Sequence, residues 1–238
     1  MDPALINGVR EAPRVPLPLP LALRLAPPRR PASGRGSLGR IRVDDATIRR
    51  PVGLALDPGG IAKGLFADWV ADALAGFQAV AVDCCGDLRV TGTPRPVRVL
   101  SPSDGGLLHV FDVADAGVAT SGIGRRAWLD ADGRPAHHLL DPSTGLPAFT
   151  GVVQVTAVAP TALEAEVRAK AALLSADPAW LAHGGVVVRD DGSAEVVEVS
   201  GEDGRAAVGG CVADAAEVPA GVRGARVRDD RAVLEQHA

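Results

Sequence analysis

The stretch HHLLDPSTG, residues 137–145, concentrates side chains that can do chemistry. It holds two imidazoles, one carboxylate and two hydroxyls within nine residues. An imidazole or a carboxylate can accept or donate a proton, and hydroxyls with exposed turn amides can bind a phosphate. The same residues also suit an ordinary turn, because Pro142 fixes φ and Gly145 can adopt a positive φ. The stretch by itself leaves a polar site and a simple turn both open.

Lys63 lies in a second stretch of interest, LDPGGIAKG, residues 56–64. A strand end, two glycines and a helix start come together here, which places Lys63 in the first turn of a helix. A cation in that turn opposes the helix dipole, unless an anion such as a phosphate shares the helix N-terminus. A solvated surface lysine is the alternative, and it is favoured when this motif is considered alone.

Two further stretches carry weaker signals. In VDCCGDLRVTG, residues 82–92, one strand runs into Gly86 and Asp87 and another strand leaves. A tight turn in which Asp87 bonds to its own backbone is the simpler explanation. In ATSG, residues 119–122, a turn would offer hydroxyls and amides to a phosphate or to the edge of a ring. Each of these signals is weak by itself.

Two predicted helices flank these stretches. Residues 61–77 have the spacing of an amphipathic helix that begins just after two glycines. Its apolar positions at helical spacing are Ile61, Leu65, Phe66, Trp69, Val70, Ala73 and Leu74. Residues 161–175 predict the second helix, in which Thr161 is the N-cap and Glu164 completes a capping box.

Short strands are predicted between and after the helices. They lie at residues 79–83, 88–92, 97–100, 107–113, 125–129, 136–141 and 152–159. Residues 185–200 predict a closing hairpin that turns at Asp191 and Gly192. The order of strands, helix, strands, helix and strands favours an α+β fold over a regularly alternating parallel sheet.

Composition divides the chain into three parts. Residues 1–40 include the segment 13–36, which is rich in proline, arginine and glycine. We expect a linker or a disordered loop there, because prolines interrupt helices and remove strand donors. Residues 41–200 have the pattern of a packed domain. Residues 201–238 contain glycine, alanine and charged residues without a sustained period, and they predict a flexible tail.

The overall composition limits the function classes. A chain of 238 residues with 47% hydrophobic content can bury a core, and a net charge of −4 gives no reason to expect nucleic acid as a partner. Three cysteines match neither a disulfide framework nor zinc spacing. No apolar run reaches a membrane span and no signal pattern opens the chain, so we expect a cytoplasmic protein. Membrane association or export is expected instead if a longer N-terminal segment carries a signal.

Taken in order, five motifs resemble the ApbE family of FAD:protein FMN transferases: LDPGGIAKG, CGDLRVTG, ATSG, HHLLDPSTGLP and PTALEAEVRAKAALL. The resemblance covers about residues 56–175. MDPAL is a fainter match to the family's FDP segment, so the chain looks like an N-terminally shortened member. The resemblance implies an α+β, T-fold-type domain of the ApbE kind, with mixed or antiparallel sheets and two main helices.

The resemblance also implies a reaction. A magnesium ion and the protein hold FAD, a serine or threonine hydroxyl of a target protein attacks the FMN phosphorus, and AMP leaves. Such chemistry needs cations and amides aimed at the developing charge and a base near the attacking hydroxyl. FAD is then a substrate, Mg²⁺ a cofactor and the acceptor protein a partner.

Family roles transfer to this chain only at matching positions. The resemblance places Asp141, His138 and Lys63 at the reacting phosphate, with Asp141 as base or orienter. His137 alternates with His138 along a strand, and we expect it to face outward. The positions implied for FAD binding are Asp2, Asp57, Lys63, Asp87, Thr120, Ser121, Gly122, His138 and Thr144. The positions implied for the metal are Gly60, Glu166, Ala169 and Lys170.

The chain departs from the family pattern in two places. Many members have an aspartate and, one helical turn later, a threonine as magnesium ligands, where this chain has Glu166 and Lys170. These two can pair, since residues four apart share a helix face. Either the Lys170 ammonium stands in for part of the charge of a lost metal, or Glu166 keeps a metal with backbone and phosphate oxygens. Cys85 replaces the first glycine of the family's GGD and alters the turn or crowds a ligand.

Two functions follow from this reading. The first is an FMN transferase that modifies a target protein. The second is a catalytically impaired flavin-binding relic, and hydrolysis of FAD to FMN and AMP is a side branch of the first.

Overall fold

The computed structural model describes residues 15–32, 38–52, 58–198 and 209–211. Its helices are α1 (Leu19–Leu25), α2 (Ala62–Ala73) and α3 (Ala162–Ser175). Its strands are β1 (Val15–Pro16), β2 (Arg42–Asp44), β3 (Thr47–Arg49), β4 (Val80–Cys84), β5 (Asp87–Thr91), β6 (Arg95–Leu100), β7 (Leu107–Val113), β8 (Ala116–Gly122), β9 (Ala127–Leu129), β10 (Pro135–His137), β11 (Val152–Ala159), β12 (Gly185–Arg189), β13 (Ala194–Val197) and β14 (Gly209–Cys211). Short 3-10 helices lie at Leu38–Arg40, Pro58–Gly60 and Pro178–Trp180.

A six-stranded antiparallel sheet forms the centre of the fold, in the order β13-β12-β11-β8-β5-β4. The middle strands β8 and β11 are buried almost throughout and α3 packs against both. α2 packs against α3 and also against β4 and β5. Smaller sheets have the orders β1-β9-β10 and β14-β7-β6, and β2 pairs with β3. The α+β prediction with antiparallel sheets and two main helices is confirmed.

Several elements form where the sequence predicts them. β7 and β11 have the predicted bounds, and β12 and β13 form the predicted hairpin with Gly192 at φ +87°. α3 begins at its predicted cap, because the Thr161 hydroxyl accepts a hydrogen bond from the Glu164 amide at 3.1 Å. The strand predicted at residues 136–141 is shorter and ends at His137.

The proline-rich segment 13–36 was expected to be a linker, but its described part, residues 15–32, contributes to the core. α1 forms within it, and its Leu19 and Ala22 are buried. Pro18 and Pro20 lie at the start of this helix, where a missing N–H removes no intrahelical hydrogen bond. The prolines therefore favour a helix start here instead of preventing a helix.

Residues 119–122 belong to a strand and not to the turn that the sequence suggested. β8 pairs with β11 along this segment, with Thr120 opposite Thr156. α3 lies so close to β8 that a Cβ at Gly117 would collide with the backbone of Ala162. This contact requires small residues in place of the β-branched ones that usually indicate a strand, which is why the pattern was misleading.

The buried face of α2 differs from the apolar stripe in its sequence. Gly64, Ala67 and Ala71 face inward, whereas Phe66 and Trp69 are 53% and 56% exposed. The two aromatic rings pack against each other edge to face, with their centroids 5.5 Å apart. Small residues line the inner face because α2 approaches the start of α3 closely enough to exclude larger ones.

Part of the predicted tail is paired to the fold. β14 lies within it and pairs with β7 in an antiparallel manner. The other residues of 199–238 lie outside the described residues, as do residues 1–14. Across the ranges that are described, no helix is both long and apolar enough to cross a membrane.

Candidate functional site

Two carboxylates tie α2 and α3 together at their N-terminal ends. Asp68 of α2 accepts hydrogen bonds from the Ala162 and Leu163 amides, each at 2.9 Å. Glu166 of α3 accepts one from the Gly64 amide of α2, also at 2.9 Å. The first amides of a helix lack intrahelical partners, and negative charge is favoured beside them. Each helix therefore supplies the anion that caps the other, and this fixes Gly64 against Glu166.

Lys63 forms an ion pair with Asp87, the first residue of β5. The Lys63 Nζ lies 2.6 Å from Asp87 Oδ2, and the side chains are 36% and 1% exposed respectively. Burial raises the pKa of the Asp87 carboxyl above its usual range, while the Lys63 ammonium acts against that rise. The turn before β5 is held by Asp83, which accepts from the Gly86 amide at 2.7 Å, and not by Asp87. Asp87 is thus free of the turn and anchors the ammonium.

Glu166 and Lys170 form the pair that their spacing suggested. Glu166 Oε1 accepts from Lys170 Nζ at 2.8 Å, while Oε2 takes the Gly64 amide. Glu166 is fully buried and the Lys170 side chain is 21% exposed. The Lys170 stem covers Gly60, since its Cε would lie 3.7 Å from a Cβ at that position. Both carboxylate oxygens of Glu166 are therefore engaged by this chain's own donors.

The two ion pairs form one group, which we call the lysine–carboxylate cluster: Lys63, Asp87, Glu166 and Lys170. Lys63 directly precedes Gly64, whose amide binds Glu166, so both pairs lie at the same contact between α2 and α3. The two buried carboxylates balance the two more accessible ammonium groups. The accessible part of the cluster consequently presents N–H donors, which suit the oxygens of a phosphate.

His138 lies beside the lysine–carboxylate cluster. Desolvation of part of the ring, followed by the positive charges of Arg126 and Lys170, lowers the pKa of His138 to about 4. The imidazole is accordingly neutral at pH 7. Its side chain still reaches solvent, so a ring nitrogen can accept a hydrogen bond from a bound molecule.

His137 has the opposite orientation to the one expected. It is 1% exposed and packs edge to face against Phe149, with the ring centroids 4.7 Å apart. Its Nδ1 accepts from the Leu139 amide at 3.2 Å, and burial lowers its pKa to about 3. Strand alternation correctly put the two histidines on opposite sides, but the prediction that His137 faces outward is wrong. The apolar ring of Phe149 on the inner side accounts for the difference.

Asp141 is buried and organises the turn of residues 137–145. Its Oδ1 accepts from both the amide and the hydroxyl of Ser143, at 2.8 and 2.7 Å. The Arg30 guanidinium lies 3.5 Å from its Oδ2. Thr144 holds the same turn through its own hydroxyl oxygen. These contacts suit a residue that orients the loop carrying His138.

Of the remaining residues implied for FAD binding, three lie at the end of β8 and two lie outside the described residues. Thr120 and Thr156 share a hydrogen bond between their hydroxyls at 2.8 Å. Ser121 is buried, and Gly122 ends the strand. Asp2 and Asp57 lie outside the described residues.

Three residues of this region were not found from the sequence: Asp68, Gly64 and Arg126. Asp68 is 94 residues away from Ala162, so no local pattern could reveal that contact. Gly64 carried a signal, because a glycine inside a helix costs about 1 kcal/mol and implies a reason for its presence. Arg126 is the second of two consecutive arginines that follow the end of β8, which could have suggested a cationic edge.

The residues around Glu166 do not fit a magnesium ion. Both oxygens of Glu166 are already bound, one of them by an ammonium. Ala169, the neighbouring implied position, is fully buried and has only a methyl side chain. Among the described residues, no group of three or more histidine, cysteine, aspartate or glutamate side chains is arranged to hold a metal. Magnesium prefers near-octahedral oxygen ligation, which this arrangement does not offer.

A separate cavity of about 400 Å³ lies beneath the segment that follows α1. It is lined in part by Leu23, Ile123 and Phe149, and the ion pair of Arg29 with Asp190 stands at its edge. Among the described residues that the resemblance implies for FAD or metal, none lines this cavity. The cavity is therefore distinct from the lysine–carboxylate cluster.

The fold and the cluster together define an α+β domain whose two main helices carry a pair of ammonium groups anchored on buried carboxylates. Residues 28–184 match the ApbE family. The chain belongs to this family, which confirms the resemblance seen in its motifs.

Curated relatives carry the name FAD:protein FMN transferase. The protein of Treponema pallidum is 34% identical over 136 residues, which is 50% of this chain and 37% of that protein. The protein of Escherichia coli K12 is 39% identical over 77 residues, which is 32% of this chain and 22% of that protein. The chain thus spans well under half the length of these relatives.

Solved structures agree on the fold. The ApbE protein of Thermotoga maritima superposes with a TM-score of 0.60 at 29% identity, covering 67% of this chain and 57% of that one. The flavin transferase ApbE of Vibrio cholerae gives a TM-score of 0.58 at 23% identity, covering 83% of this chain and 72% of that one. Because its identity is only 23%, the similarity to the Vibrio cholerae structure shows the fold alone.

Proposed function

We propose that this chain transfers FMN from FAD to a serine or threonine hydroxyl of a target protein. The hydroxyl oxygen attacks the FMN phosphorus and forms a phosphoester. The bond between that phosphorus and the bridging oxygen of the diphosphate breaks, and AMP leaves with the oxygen. The hydroxyl proton passes to a base of the protein or to solvent. Membership of the ApbE family and the names of the relatives support this reaction.

The observation that carries the proposal is the lysine–carboxylate cluster. Its ammonium groups are anchored on buried carboxylates and keep N–H donors on the accessible side. An anchored cation needs little reorganisation when charge develops on a leaving phosphate, which is the main requirement of this chemistry. Lys63 is accordingly assigned to the diphosphate of FAD, and Asp87 to the anchoring of its ammonium.

The loop of residues 137–145 supplies the remaining roles. His138 is neutral at pH 7 and accessible, and the negative charge of a bound diphosphate would raise its low pKa, so we assign it to accept the proton of the attacking hydroxyl. Asp141 is buried and bonded to Ser143, which favours the role of orienter over that of base. The FAD contacts assigned to Thr120, Ser121, Gly122 and Thr144 remain proposals, as do those of Asp2 and Asp57.

Magnesium does not enter this mechanism, because the residues at the implied metal position do not fit it. Glu166 is engaged by Lys170 and Gly64 and offers no oxygen to an ion without losing one of them. The pairing of Glu166 with Lys170 at the implied metal position also favours a second candidate function, a flavin-holding module that binds FAD without transferring FMN. The acceptor protein is defined only by its hydroxyl, and the cytoplasmic location stays a prediction.

The test is an assay of FAD turnover with the full chain. We would incubate it with FAD alone and with an acceptor domain that carries a flavinylation motif, then measure AMP by chromatography and covalent flavin by in-gel fluorescence. AMP that appears together with a fluorescent acceptor supports the transferase. AMP and free FMN without acceptor labelling indicate hydrolysis, and FAD binding without AMP indicates the flavin-holding module.

A variant pair sharpens the assignment of Lys63. Lys63→Gln should weaken FAD binding and AMP release, because it removes the ammonium anchored on Asp87. Arg168→Gln is the matched control, since Arg168 forms an ion pair with Glu164 on α3 outside the cluster. Equal effects of the two substitutions would contradict a specific role of Lys63.

A further inference from the structure

We propose that Lys170 is a built-in replacement for a divalent cation, and that its ammonium contacts the diphosphate of FAD directly. The inference rests on the proposed function for the identity of the anion. It goes beyond that function by naming the group that neutralises the anion at the implied metal position.

The geometry of Glu166 carries the first step. Its carboxylate is fully buried, with one oxygen on the Gly64 amide and the other on Lys170 Nζ at 2.8 Å. A buried carboxylate needs a partner, and here that partner is an ammonium that a helical turn brings into reach. A divalent ion on the same oxygen would repel the Lys170 ammonium and would have to expel it.

The position of Lys170 carries the second step. Its stem lies over Gly60 and its side chain is 21% exposed. An ammonium has three N–H donors, of which Glu166 uses one in this structure. The others are available to an anion on the accessible side. Lys63 has the same arrangement on Asp87, and it precedes Gly64, whose amide binds Glu166, so the two anchored ammonium groups belong to one contact between α2 and α3.

The choice of residue type carries the third step. The chain has 25 basic residues, and Lys63 and Lys170 are its only lysines. All its other basic residues are arginines. Arginine is the usual choice for bidentate contacts with phosphate, yet this cluster has lysines. An ammonium is a compact point charge with donors that rotate, and in that respect it resembles a small metal ion more closely than a planar guanidinium does. Both compact cations of the chain are thus placed in one cluster.

The scarcity of lysine also provides the experiment. Full-length chain labelled with [13C]lysine should give side-chain NMR signals from Lys63 and Lys170 alone. We would titrate it with FAD and with inorganic pyrophosphate, without metal, and separately with Mn²⁺, a paramagnetic substitute for Mg²⁺. We expect pyrophosphate or FAD to shift the Lys170 signal without metal, and Mn²⁺ alone to leave it sharp.

Variants test the replacement itself. Lys170→Thr should lower metal-free affinity for FAD and should raise affinity for Mn²⁺, each by about tenfold or more, as for other changes beside a metal ligand. Mn²⁺ should then broaden the Lys63 signal. Arg168→Thr is the matched control on the same helix and should change neither affinity. Lys170→Arg keeps a cation beside Glu166 and should still exclude Mn²⁺, which covers the case in which the threonine variant does not fold.

The outcomes separate this inference from the proposed function. Broadening of the wild-type Lys170 signal by stoichiometric Mn²⁺, lost in Glu166→Gln, would overturn the inference. A Lys170 signal that pyrophosphate and FAD both leave unmoved would overturn it as well. Metal-free FAD binding that depends on Lys170, without AMP release or acceptor labelling, would support the inference while the transferase proposal fails.

Discussion

Removing the Asp68 carboxylate should weaken the contact between α2 and α3, which positions the lysine–carboxylate cluster. Asp68→Ala takes away the acceptor for two amides at the start of α3, both at 2.9 Å, and the 3.5 Å ion pair with Arg89. Loss of an N-cap typically costs about 0.5–2 kcal/mol, and hydrogen bonds to charged groups are each worth about 1.5–3 kcal/mol. Because water can reach part of this partly buried position, we expect a loss of about 2–4 kcal/mol.

The assay is urea unfolding, with thermal unfolding as a second measurement. For a chain of this size, each kcal/mol lowers Tm by about 2–4 °C, so a fall of about 5–15 °C is expected. Asp68→Asn keeps one neutral acceptor, so its free energy of unfolding should fall by about half as much as that of Asp68→Ala. Asp72→Ala is the control, since this exposed residue of the same helix should change stability by less than about 0.5 kcal/mol. If Asp68→Ala matches that control, the carboxylate does not tie the helices together.

Three other changes test the packing and the turns. Gly64→Ala should cost about 1–3 kcal/mol in urea unfolding, because its Cβ would lie 2.5 Å from the Ala162 carbonyl oxygen; an unchanged midpoint would contradict the close approach. Cys85→Asn should stabilise by about 0.5–1 kcal/mol, since Cys85 has φ +56° beside Gly86 at φ +93° and asparagine tolerates this conformation; destabilisation would show that the thiol has a packing role. Because the pKa of His137 is lowered to about 3, the unfolded chain binds more protons between pH 6.5 and 3, so stability should be full above pH 6.5 and fall below it, by up to about 5 kcal/mol. His137→Asn should lack this part of the fall and keep the smaller part that His138 contributes through its own lowered pKa of about 4; equal pH profiles of the two proteins by urea unfolding would refute it.

The local signals that proved reliable are those that depend on neighbours in the chain. Thr161 and Glu164 placed the start of α3, and short strand-like runs bounded by turn residues placed β7 and β11 with their observed bounds. A helix cap and a short strand between two turns are both encoded within a few consecutive residues, so the sequence displays them in full. The order of the motifs identified the family in the same way, since each motif is a short contiguous stretch.

The failures share a different cause. β8 was taken for a turn at residues 119–122, and the inner face of α2 was sought among its large apolar residues. In both places another element approaches closely, so Gly117 on β8 and Gly64 on α2 replace the residues that usually indicate a strand or a buried face. Hydrophobic patterning reports how much apolar surface a segment carries, but it does not report how near its partner lies.

By itself, the sequence determined the α+β class, the main helices, the family and the candidates Lys63, Asp87, Glu166 and Lys170. It also determined that Glu166 and Lys170 could pair, because helix geometry brings residues four apart together. Only the tertiary structure decided that Asp87 and Glu166 are buried, that their ammonium partners remain accessible and that the two pairs form one cluster. Burial and charge coupling depend on contacts between segments about a hundred residues apart, such as Gly64 with Glu166, and no local pattern encodes such distances.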